Sequence, residues 1–136
     1  MSVVYVDSNV VISLIEGGVG WRAAIVSRLA GTGYVASALV VSDLVRLECR
    51  VKPLATGSDL LLEAYDSFFA SPGVHTAKLT TEVCDRATRI RALYRFDTSD
   101  ALHLAAAIES GCDVFVTADR QLAAFGDLAV LLVSPQ

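Results

Sequence analysis

Short β-branched runs alternate along this chain with segments whose apolar residues recur at helical spacing, and that alternation predicts an α/β fold with a mainly parallel sheet. Val3-Val4-Tyr5-Val6 reads as the first strand; it carries no charge, as a strand covered on both faces should not. Asn9 to Glu16 and Trp21 to Ala30 read as helices that end by Gly31 and Gly33, and Tyr34-Val35-Ala36 as a second short strand. Ser42 or a near neighbour caps a helix running to about Val51, before Pro53. Asp59 to Ala70 is a further helix, closed by Ser71-Pro72-Gly73, and Val74 to Ala77 a third strand. Thr80 or Thr81 opens a long helix to about Tyr94, and Asp97 caps another that runs to Gly111. Asp113 to Val116 is the fourth strand, Asp119 to Ala124 a short helix, and Ala129 to Val133 the last strand. No linker, repeat or low-complexity tract interrupts the pattern, so residues 1–136 are expected to form a single domain.

Composition narrows the class. Apolar residues make up 54% of the chain and charged residues 19%, too apolar for disorder and enough for a real core. No apolar run approaches the roughly 18 residues a membrane span needs, and no basic residue precedes Val3 to Val6, so neither a membrane helix nor a signal peptide is expected. Cys49, Cys84 and Cys112 are odd in number, far apart and set among apolar neighbours; they read as buried thiols in a reducing, cytoplasmic setting.

Four acids stand where packing alone does not require them. Asp7 directly follows the first strand, where it could serve as the N-cap of the next helix or as part of a site. Val41, Leu44, Val45 and Glu48 follow the i, i+3, i+4, i+7 spacing of an inward stripe, a costly place for a glutamate without a partner. The other reading puts Glu48 at the stripe's edge, reaching water or an arginine. Asp100 sits in the first turn of Ala101-Leu102-His103-Leu104-Ala105-Ala106-Ala107-Ile108, apolar on nearly every side; capping and the helix dipole explain an acid there equally well. His103, one turn on, is open to two readings, a packed core histidine or a base. Asp119 follows the fourth strand, with Thr117 competing for the capping role. Strands one and four of a doubly wound sheet can be neighbours where the strand order reverses, which would bring Asp7 and Asp119 together.

Converging carboxylates without histidine or cysteine partners suit Mg²⁺ or Mn²⁺ rather than zinc. Such a cation offsets their mutual repulsion and serves phosphodiester hydrolysis by activating water and stabilising charge on phosphate oxygens. Neither a Walker A sequence nor G-x-G-x-x-G is present. The net charge of −4 is unusual for a nucleic-acid enzyme, yet of 15 acidic residues the four candidates are a large share, and the rest balance the 11 basic ones.

The motifs resemble a known family. Val4-Tyr5-Val6-Asp7-Ser8-Asn9-Val10-Val11-Ile12 is similar to the opening strand and first acid of PIN domains, and Ser42-Asp43-Leu44-Val45-Arg46-Leu47-Glu48 to their second motif. Asp97-Thr98-Ser99-Asp100-Ala101-Leu102-His103-Leu104-Ala105-Ala106-Ala107 resembles the third, the most specific of the set, and Val114-Phe115-Val116-Thr117-Ala118-Asp119 the fourth. They come in the family's order over nearly the whole chain, and a lone PIN domain of this length resembles VapC toxins. The resemblance implies a five-stranded sheet of order 3-2-1-4-5, Mg²⁺- or Mn²⁺-dependent endoribonuclease activity, homodimerisation, and inhibition by a VapB-type antitoxin. By position, Asp7 and Asp100 would be the principal metal ligands. Glu48 and Asp119 would complete the site directly or through water, and Ser8, Asn9, Ser42 and Thr117 would support the ligands by hydrogen bonds. Asp97 competes with Asp100 for the third position.

Two other functions share this pattern: a PIN nuclease in RNA processing or on DNA outside a toxin pair, and a non-catalytic RNA- or protein-binding module. Phosphoryl chemistry on an Asp7 nucleophile is a more distant alternative, since the acid often wanted two residues later is here Asn9. Arg86, Arg89, Arg91 and Arg95 form a basic stretch that could track a nucleic-acid backbone or simply be a solvated helix face. A carboxylate-rich pocket also invites a partner's guanidinium, which binds carboxylate in a bidentate fork.

Overall fold

A computed structural model describes residues 2–33 and 36–134. Five parallel strands form one sheet: β1 (Ser2–Val6), β2 (Ala36–Ser42), β3 (Val74–Ala77), β4 (Val114–Thr117) and β5 (Ala129–Leu132). Their spatial order is β3-β2-β1-β4-β5. Burial follows this order. Val4, Tyr5 and Val6 in β1 and all four residues of β4 are buried, whereas β3 and β5 at the edges are only partly covered. A parallel sheet needs crossover helices on its faces, and its central strands must therefore be apolar throughout.

Six helices make those crossovers: α1 (Ser8–Glu16), α2 (Val19–Gly31), α3 (Asp43–Thr56), α4 (Asp59–Phe69), α5 (Thr81–Tyr94) and α6 (Thr98–Glu109). A short 3₁₀ helix, Arg120–Ala124, lies between β4 and β5. α5 packs along α6, whose Ala101 and His103 to Ala107 are all buried, as its nearly uniform apolar composition demands. None of these helices is long and apolar enough to cross a membrane, among the described residues.

Several expectations are corrected. Val41 lies in β2, not on the Glu48 helix; Ser42 ends the strand and caps α3 through its hydroxyl, which accepts from the Val45 amide. The inward face of α3 is Val45, Cys49 and Pro53, with Glu48 beside it. α3 also passes through Pro53 to Thr56. Pro53 is buried, so its packing offsets the lost amide bond, and Gly57 in the left-handed region stops the helix instead. There the Ser58 amide donates to the Pro53 carbonyl. α6 ends at Glu109 rather than Gly111, which closes it at φ +72° with the Cys112 amide donating to Ala107. Of the expected second strand, Tyr34 and Val35 lie outside the described residues, and the strand from Ala36 runs on to Ser42. Cys49 and Cys112 are buried as expected, and their thiols are pushed up to about 12 by burial; Cys84 is exposed on α5.

Candidate active site

The strand order reverses between β1 and β4, and a crevice opens at the carboxyl ends of strands that diverge this way. The site residues enter it from four elements. Asp7 leaves β1, and its amide donates to the Val116 carbonyl of β4, continuing the ladder one residue beyond the strand. Thr117 ends β4, with Asp119 two residues on. Ser42 ends β2, which places Glu48 on the second turn of α3. The N-terminal turn of α6 supplies Ser99 and Asp100, with Asp97 as its cap.

Among the described residues, the buried polar side chains are Asp7, Ser8, Ser42, His103 and Thr117, and all five belong to one hydrogen-bonded network. Asp7 is 4% exposed. Its Oδ1 accepts from the Ser8 amide at 2.8 Å, and its Oδ2 from the Thr117 hydroxyl at 2.7 Å and more distantly from Asn9. Asp7 is thus the α1 cap and a network member at once. Asn9 ties β1 to β4: its Oδ1 accepts from the Ala118 amide, while its Nδ2 lies 3.3 Å from Thr117 Oγ1. Ser8 Oγ donates to Glu48 Oε1 at 2.7 Å, Ser99 Oγ donates to Glu48 Oε2 at 2.9 Å, and His103 Nε2 lies 2.6 Å from Glu48 Oε1. These donors, His103 foremost, hold the Glu48 carboxyl down at about 2. Glu48 is therefore ionised. Nδ1 of His103 meets the Tyr5 hydroxyl at 2.8 Å, and that hydroxyl donates to Ser42 Oγ at 2.9 Å. Burial raises the Tyr5 phenol well above its ordinary value, so it stays a hydroxyl.

The remaining acids sit in a different electrostatic situation. Burial raises Asp7 despite its donors and despite His103 Nε2 at 3.6 Å from Oδ1. Asp100 is half-buried and pushed up to about 6, first by burial and then by the charges of Asp97, Asp119 and Asp7. Asp119 caps the 3₁₀ helix through the Gln121 amide, and its own amide donates to Thr117 Oγ1. Asp97 accepts from the Asp100 amide, which leaves it the cap and Asp100 the acid facing the other carboxylates. Among the described residues, no lysine or arginine pairs with Asp7, Asp100 or Asp119. Nor does any group of three His, Cys, Asp or Glu side chains stand arranged to hold a metal ion. The donors suit a hard cation nonetheless. They are all oxygens, the Asp100 carboxyl accepts no hydrogen bond among the described residues, and Mg²⁺ commonly takes only one or two carboxylates and keeps its waters.

Two members of the network were not foreseen. Tyr5 carries the one buried hydroxyl of β1, and Ser99 lies between the two acids of the third motif; a buried hydroxyl such as that of Tyr5 must find a partner, which was the available signal. His103 is 1% exposed, a core residue bonded on both nitrogens. The basic stretch of α5 is partly engaged elsewhere: Arg86 pairs with Glu109 at 2.7 Å, and Arg91 Nε donates to the Phe96 carbonyl.

The sequence model of the PIN domain matches residues 4–128. The chain belongs to the PIN-domain family. A comparison with curated proteins finds no match in sequence. Among solved structures, VapBC2 from Rickettsia felis, bound to a DNA fragment from its promoter, superposes with a TM-score of 0.72 at 13% identity, covering 97% of this chain and 99% of that one. A toxin–antitoxin complex from Klebsiella pneumoniae gives 0.71 at 16% identity, covering 93% and 95%. VapC20 of Mycobacterium tuberculosis, described as a toxin that cleaves the sarcin–ricin loop, gives 0.66 at 16% identity, covering 93% and 98%. At such identities the likeness is one of fold, and it extends over the full PIN domain.

Proposed function

We propose that this PIN domain is a divalent-metal-dependent endoribonuclease and the toxin of a toxin–antitoxin pair. The observation that carries the reading is electrostatic: Asp7 and Asp100 are raised by burial, Asp100 also by neighbouring acids, and the described residues offer them no lysine or arginine. Keeping like charges half-desolvated costs stability, and a site that does so without a protein cation is suited to an external one.

In this reading Asp7 and Asp100 hold the Mg²⁺ or Mn²⁺, and Asp119 and Glu48 complete the site directly or through water. When bound, the cation supplies charge neutralisation and Lewis acidity toward a water and a phosphate oxygen. The chain's own contribution is positioning. Thr117 and the Ser8 amide fix the Asp7 carboxylate, Asn9 locks β1 against β4, and the Ser8, Ser99 and His103 donors hold Glu48 ionised at the edge of the crevice.

A role as toxin draws on the solved relatives, which include toxin–antitoxin assemblies, and on surface that a partner could cover. Leu47, Val51 and Leu54 form a stripe on α3 with exposures of 60%, 57% and 60%, a surface that a second copy or an antitoxin could use. Expressed alone, the wild type is expected to arrest growth of its host. Asp7→Asn should not, and co-expression of a small neighbouring gene should restore growth. A soluble, well-expressed wild type that is harmless and has no such neighbour would refute the toxin role and leave RNA processing as the better account of the same site.

A further inference from the structure

On the proposed reading as a nuclease, a strand of RNA must lie beside a cluster of carboxylates on a chain of net charge −4, and something must hold its phosphates there. A groove of about 380 Å³, lined by Ala118, Arg120, Leu132, Val133 and Ser134, adjoins the site. Its connection to the acids is covalent and short. Ala118 lies between Thr117, whose hydroxyl donates to Asp7, and Asp119, and the Ala118 amide donates to Asn9. Its far wall is the end of β5, held to β4 by the Val133 amide on the Thr117 carbonyl.

Arg120 lines this groove, and a second arginine, from a separate element, is bonded to a residue of its wall. Arg120 is exposed and makes no hydrogen bond or ion pair among the described residues, although its sequence neighbour is an acid. Arg28, from α2, donates through Nε to the carbonyl of Leu132 at 3.0 Å. That bond anchors the side chain at the groove wall and leaves the terminal nitrogens free to donate elsewhere. A guanidinium pinned at Nε loses less entropy on gripping a phosphate than a free one does. By contrast Arg86 on α5 is already paired with the Glu109 carboxylate.

We propose that this groove is the phosphate-backbone subsite for the RNA strand as it leaves the acidic site, with Arg120 and Arg28 as its cations. The contact is to backbone, so it adds affinity and register rather than base preference. The ordinary solvated-arginine reading leaves both the anchoring of Arg28 and the continuity of the groove with Asp7 and Asp119 unexplained.

The test is binding of a fluorescent 12-nucleotide single-stranded RNA of mixed sequence, in Ca²⁺, with gels confirming that the RNA stays intact. Arg120→Gln and Arg28→Gln are each expected to weaken binding about three- to tenfold and to lower the slope of log affinity against log salt by about 0.7, the value for one phosphate contact on a single strand. Arg89→Gln, on the exposed face of α5, should leave both unchanged. Melting curves check that Arg28→Gln remains folded, and Arg120→Gln removes no contact the fold uses. If the groove variants bind like wild type while Arg89→Gln loses affinity and slope, the groove assignment is overturned and the nuclease reading stands. A wild type that binds no RNA even at low salt would overturn both.

Discussion

Asp100→Asn offers a stability test of the site that needs no substrate. The carboxyl moves from an ordinary value of about 3.9 to about 6 in the folded protein, through burial and the charges of Asp97, Asp119 and Asp7. A difference of that size is worth about 3 kcal/mol against the native state when the group is ionised. Solvent on the open side of the half-buried carboxyl screens part of it, so about 1–2 kcal/mol is the expected gain on removing the charge. No hydrogen bond accepted by this carboxyl is lost, and the Asp97 cap on the backbone amide remains. For a chain of this length the melting temperature should rise by about 3–8 °C in chelator at pH 8. The sign with pH follows from the raised value. Between about pH 4 and 6 the native state binds the extra proton, so wild-type stability declines as pH rises through this window and is lowest above it. The gain from Asn should therefore be absent near pH 4, grow through pH 6 and be full at pH 8. A lower melting temperature for Asp100→Asn, or a difference independent of pH, would show that Asp100 is an ordinary helix-start acid without close like charges.

Glu48 should behave in the opposite way. Its carboxyl is held down at about 2, so its stabilising contribution is present above about pH 4.3 and lost as pH falls toward 2. Unfolding free energies from urea titrations between pH 5 and 2 should fall further for wild type than for Glu48→Gln, by about 1–2 kcal/mol; parallel losses would mean that the His103, Ser8 and Ser99 donors do not favour the charge. Mg²⁺ or Mn²⁺ at about 100 times its Kd should stabilise the wild type by about 2.7 kcal/mol but scarcely stabilise Asp7→Asn, and equal melting shifts would place the cation elsewhere.

The carboxylates were legible as candidates from their placement along the chain, although capping also accounts for an acid at Asp7 and Asp119. Asp7 follows an uncharged strand, Asp100 lies in the first turn of a helix that is apolar on nearly every side, and Asp119 stands two residues beyond the second central strand. The strand order was legible from the resemblance, and the β1–β4 pairing supports it. The reason given for Glu48 was faulty, since Val41 belongs to the strand, and a break in period at Ser42 cannot be seen when both sides of it are apolar. Pro53 misled because a helix-breaking residue can be tolerated where its ring packs in the core. The link from Glu48 through His103 to Tyr5 and Ser42 joins residues 37 to 98 positions apart, and only the folded sheet brings them together.

The central claim is that these carboxylates form a metal-dependent centre for cutting RNA. It is tested most directly by following cleavage of single-stranded RNA by purified protein in Mn²⁺ or Mg²⁺ and in chelator, for wild type, Asp7→Asn and Asp100→Asn, with folding checked by melting. Cleavage by wild type only with metal, and losses of about 100-fold or more in both variants, is the predicted result, because placing the reacting phosphate and water supplies several kcal/mol of the rate. Cleavage that persists in chelator, or an Asp100→Asn protein with wild-type activity, would contradict the account.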